Sequence, residues 1–78
     1  MKLLPEHCIA ARGLLRWSQE DLATRSGLSR QTISNFEAGT ASPSEDTLLR
    51  IFSALESQGI EFMNSGKPGV RHHPEKAR

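Results

Sequence analysis

From Arg30 to Ala38 the chain reads RQTISNFEA, a helical pattern whose outer face carries Arg30, Gln31, Ser34 and Asn35. A short, rigidly held helix that displays arginine and amides is suited to reading base edges in the major groove of DNA. Such a helix needs a scaffold. Ile33 and Phe36 lie on its other face, and Leu22 and Ala23 of the preceding segment fall at matching helix spacing. The two segments would face one another across a tight Gly27-Leu28-Ser29 turn.

The flanking residues punctuate these helices. Ser18 can cap a helix over Gln19–Ser26, with Asp21 in the capping-box position as an unusually short acid. Gly27 suits the position after that helix, where a positive φ is expected. Ser29 can cap the next helix and Gly39 ends it. Upstream, PEHCIAARGLL (residues 5–15) predicts a first helix, with Pro5 tolerated in its first turn and Cys8, Ala11 and Leu15 on one face. Gly13 costs up to about 1 kcal/mol there against alanine, and is compatible with a close helix crossing. Downstream, Leu48, Ile51, Phe52 and Leu55 stripe a fourth helix, Glu45–Gln58. Ser44 is its cap, with Ser42 the rival because S-P-S-E would complete a capping box with Glu45. Gly59 stops it. Ile60–Met63 predicts a strand, Asn64–Gly69 a turn and Val70–His72 a partner strand, with a disordered tail from Pro74.

The predicted architecture is all-α: a small bundle of four to five helices with a short C-terminal β extension. Residues 1–59 would form the helical domain and 60–78 the extension and tail. The expected core comprises Leu3 or Leu4, Cys8, Leu14, Leu15, Trp17, Leu22, Ala23, Leu28, Ile33, Phe36, Leu48, Ile51, Phe52 and Leu55. A chain of 78 residues buries only about 60% of the surface its unfolded form exposes, so a dimer contact would help it.

Composition excludes more than it selects. The net charge is +1, so any attraction for phosphate must come from charge distribution: Arg12, Arg16, Arg25 and Arg30 cluster near the two central helices. A single cysteine permits no internal disulfide. Lys2, Glu6 and His7 interrupt any leader-like start, and no run approaches the ~20 apolar residues of a membrane span, so a cytoplasmic location is expected. No Ser-His-Asp, HExxH or CxxC arrangement occurs, and His7 has no evident catalytic partner; no enzyme activity, cofactor or metal is expected. His72 and His73, adjacent on a strand, would point opposite ways.

QEDLATRSGLSRQTISNFE, residues 19–37, resembles the helix-turn-helix of the Cro/repressor (XRE-like) family. Gln19, Leu22-Ala23, Gly27, Leu28, Ile33 and Phe36-Glu37 carry the likeness, which extends from Arg12 through PSEDTLLRIFSALE. The resemblance implies a lambda-repressor-like fold with the 30–38 helix in the major groove. Arg30 would pair with guanine O6 and N7, Gln31 with adenine N6 and N7, and Thr32 would set a methyl against thymine. Ser34 and Asn35 are further base-contact candidates. Gln19, Ser29, Thr40 and Ser42 are expected at phosphates. An ion pair between Arg12 and Glu37 would fix the reading helix to its scaffold.

The expected activity is sequence-specific binding of double-stranded DNA by a homodimeric transcriptional repressor on a near-palindromic operator. Leu55, Ile60 and Phe62 are its expected dimer interface. The rival expectation is a protein-interaction module on the same scaffold, such as an antitoxin that engages a protein partner through its tail.

Overall fold

The computed structural model describes residues 2–64 and 66–78. Four helices run in chain order, α1 (Pro5–Leu15), α2 (Gln19–Ser26), α3 (Arg30–Ala38) and α4 (Glu45–Glu56). Two strands follow, β1 (Ile60–Met63) and β2 (Gly69–His72), and a short 3-10 helix, η1 (Pro74–Lys76). The fold is a helical bundle with a two-stranded antiparallel extension. Met63 faces Gly69 nearest the turn and Ile60 faces His72 at the other end. Ser65 of the expected 64–69 turn lies outside the described residues.

Caps set the helix boundaries. Ser18 Oγ accepts the Asp21 N–H at 3.0 Å while Asp21 Oδ2 accepts the Ser18 N–H at 2.9 Å, so the short acid closes the box. Ser29 Oγ accepts from Thr32 N–H and Ser44 Oγ from Thr47 N–H, each at 3.1 Å, which settles the cap of α4 on Ser44. Gly27 and Gly39 close α2 and α3 with φ of 71° and 75°. α1 ends instead on Arg16 at φ 58°, an unusual conformation for a side chain with a Cβ.

Leu3, Cys8, Ala11, Leu22, Ala23, Ile33, Phe36, Ile51, Ala54, Leu55 and Ile60 form the core, with Leu15, Trp17, Leu28, Leu48, Phe52, Phe62 and Val70 packed around it. β2 packs on α1 and β1 on α4, so the hairpin spans the first and last helices. Leu3 rather than Leu4 is the buried member of that pair. Leu14 departs from expectation: it is 48% exposed, because the inward arc of α1 runs through Cys8, Ala11 and Leu15. His7 enters the core unexpectedly. Its Nδ1 accepts the Leu4 N–H at 3.0 Å, which leaves Nε2 to donate to the Met63 carbonyl at 3.1 Å, and its ring meets Phe62 edge-on.

The segment from Pro74, expected to be disordered, is folded back. The Arg78 N–H donates to the Ser57 carbonyl at 2.7 Å and the Arg78 side chain pairs with Glu56. His73 N–H donates to the Gly59 carbonyl at 2.7 Å, and its Nε2 reaches Glu61 at 2.8 Å. His72 turns to the Gln58 carbonyl.

Candidate nucleic-acid interface

α3 owes its position to a polar brace on its carboxyl end. Glu37 Oε2 accepts from Arg12 Nε at 2.6 Å and Oε1 from Arg12 Nη2 at 2.7 Å, a bidentate pair between α1 and α3. Gln19 Nε2 donates to Oε1 at 3.0 Å and the Cys8 thiol to Oε2 at 3.0 Å. Arg12 Nη1 also donates to the Trp17 carbonyl at 2.9 Å. One carboxylate therefore joins α1, α2 and α3, and Arg12 extends the brace to the α1–α2 link. Its side chain is 5% exposed, and no buried side-chain nitrogen or oxygen among the described residues lacks a partner.

The charges follow from this geometry. Burial raises the Glu37 pKa, but hydrogen bonds from Arg12, Cys8 and Gln19 outweigh it and hold the carboxyl below its ordinary value. The Cys8 thiol is pushed far up, first by burial and then by its bond to Glu37, and so remains a protonated donor. The Arg12 guanidinium is raised by its bonds to Glu37 against the burial that would lower it. Glu37 is thus neutralised within the scaffold, and Arg30 is the remaining charge on α3.

The sequence-predicted contact residues differ in their freedom. Arg30 and Gln31 are exposed at the amino end of α3, with Thr32, Ser34 and Asn35 half-buried beside them. Gln31 Nε2 donates to Asn35 Oδ1 at 2.9 Å. Thr32 and Ser29 share a hydroxyl–hydroxyl bond at 2.9 Å, so the cap and its neighbour are engaged with each other. Thr40 donates to the Asn35 carbonyl through its N–H at 3.1 Å and its Oγ1 at 3.2 Å, closing the helix. Ser42 is exposed in the loop before α4. Gln19, spent partly on Glu37, retains one amide N–H. Arg25 sits over the Trp17 ring, 5.1 Å from its centroid.

The participation of Cys8, Gln19 and Trp17 in the brace had no separate sequence signal. Cys8 reads as a small apolar core residue, Gln19 as a phosphate contact, and the Trp17 contribution is a backbone carbonyl. Away from α3, Leu55 is wholly enclosed and Ile60 is 3% exposed within this protomer's own core. Of the three expected interface residues only Phe62 retains partial exposure.

No curated protein matches the chain. The family model described as helix-turn-helix matches residues 9–62, from within α1 through α2, α3 and α4 to β1. That span contains the whole brace apart from Cys8 and every residue displayed by α3. With more than half its length matched, the chain belongs to the Cro/XRE-type helix-turn-helix family of DNA-binding domains.

Proposed function

We propose that this protein is a sequence-specific transcriptional regulator that binds double-stranded DNA as a homodimer, with α3 in the major groove and repression as its output. The observation that carries this reading is Arg30 beside Gln31, both exposed at the amino end of a helix whose other end is braced by Glu37. Arg30 would read guanine and Gln31 adenine, with Thr32 against a thymine methyl. The free N–H of Gln19 and the exposed loop at Thr40 and Ser42 would meet phosphates.

Because Leu55 and Ile60 are enclosed, pairing of two copies would use the open groove beside them. This groove, about 1030 Å³, is lined by Leu48, Leu49, Phe52 and Phe62, with Lys2, Glu45 and Lys76 among its bordering residues. Leu49 is 60% exposed there. A dimer would set two α3 helices into major grooves one turn, about 34 Å, apart.

Selection of bound sequences from a random DNA pool tests the proposal. A near-palindromic site with half-sites about 10 base pairs apart is the expected result. Failure to enrich any sequence would overturn it. Binding should weaken with added salt, and Arg30→Ala should relax preference at one base pair by about 1–3 kcal/mol.

A further inference from the structure

Gln31 and Asn35 stand one helical turn apart and are joined by the 2.9 Å bond from Gln31 Nε2 to Asn35 Oδ1. The two ends of that bond are held differently. Asn35 is half-buried, and Thr40 donates twice to its backbone carbonyl, so it sits on the fixed, closed end of α3. Gln31 is exposed, and Asn35 is its side-chain partner among the described residues.

A free glutamine amide offers two N–H donors and one acceptor, so it can turn to suit more than one base. The major-groove edge of adenine presents an acceptor at N7 and a donor at N6. That of guanine presents acceptors at both N7 and O6. Resting on the reading of α3 given above, we propose that Asn35 is a positioning residue which sets Gln31 to read adenine in preference to guanine. Asn35 Oδ1 takes one N–H of Gln31. What remains, one N–H and Oε1, is the donor–acceptor pair that adenine matches. Against guanine the same side chain must either give up Asn35 or leave one guanine acceptor unpaired, and each choice loses a hydrogen bond. Asn35 thereby acts on the DNA through Gln31, without touching the base whose identity it selects.

The test compares wild type, Gln31→Ala, Asn35→Ala, Asn35→Asp and the Gln31→Ala/Asn35→Ala double variant on a randomised duplex pool, with thermal melting to show that each is folded. At the base pair where Gln31→Ala erases preference, Asn35→Ala should lower the adenine-over-guanine ratio about fivefold, the loss of one hydrogen bond. Asn35→Asp keeps the acceptor and should keep that ratio, while binding all DNA less tightly through its added negative charge. The double variant should match Gln31→Ala at that pair. The inference is overturned if Asn35→Ala acts at a different base pair or weakens all sequences equally, since Asn35 would then be a direct contact. It is also overturned if Asn35→Asp is as indiscriminate as Asn35→Ala. If Gln31→Ala alters preference nowhere, the reading of α3 itself fails.

Discussion

Four hydrogen bonds from three side chains converge on the two oxygens of Glu37, and their removal has calculable effects. Glu37→Ala leaves the Arg12 guanidinium, 18% exposed, without its counter-charge and should destabilise the protein by about 3 kcal/mol in denaturant unfolding. In a cycle with Arg12→Ala the two losses should not add, with a coupling above about 1 kcal/mol. The same carboxylate gives an acid response. Its folded pKa lies below the ordinary value, so its contribution is complete above the unfolded glutamate pKa and fades as pH falls through the lowered one. Unfolding midpoints followed from about pH 5 downward should therefore decline, and less steeply in Glu37→Gln. A midpoint that is flat over that range in the wild type would show that Glu37 does not carry the acid response.

At the scale of elements, glycine separates two situations. Gly59 has φ 88°, and a Cβ built there would lie 2.0 Å from the His73 carbonyl oxygen. Gly59→Ala should detach the segment from His73 onward, cost about 1–3 kcal/mol, and make residues 74–78 sensitive to limited proteolysis. Gly13 has nothing within 4 Å of its would-be Cβ, so no crossing helix explains it. Gly13→Ala should stabilise α1, raising the unfolding free energy by about 0.5–1 kcal/mol. These elements were legible to different degrees. Serine caps and the glycines after α2 and α3 are local signals, and the boundaries of α2 and α3 could be read from them. Leu14 could not be told from Leu15 by hydrophobicity, since the choice depends on where α3, α4 and the hairpin lie. The burial of His7 rests on a carbonyl 56 residues away. The folded tail rests on Gly59 and Glu56, which no pattern within residues 74–78 announces.

For the whole molecule, the open groove makes a concentration-dependent prediction. Leu49 is exposed, so Leu49→Asp should leave the monomer fold intact while shifting the proposed dimer toward monomer in sedimentation. Operator affinity should fall with it, by tenfold or more if about 1.4 kcal/mol of pairing energy is lost. An unchanged sedimentation profile would remove the groove from the interface. The displayed residues of α3 were readable from residue type and helix period, because they face outward and their side-chain partners lie within the same helix or at its cap. The brace residues beyond Arg12 and Glu37 were not, because their roles arise only where α1, α2 and α3 converge.

The contact of β2 with α1 also bears on the order in which a nascent chain can finish folding. During synthesis α2 and α3 emerge together and can pair at once, their contacts being close in sequence. His7, however, has no acceptor for its Nε2 until Met63 has left the ribosome, and α1 has no strand against it until residue 72 follows. A stalled or truncated product ending before the hairpin would leave uncovered the part of α1 that packs on β2, while its contacts with α3 and α4 could still form. Partial chains of that kind would already contain a complete α3 while lacking the strand that finishes the cover of α1.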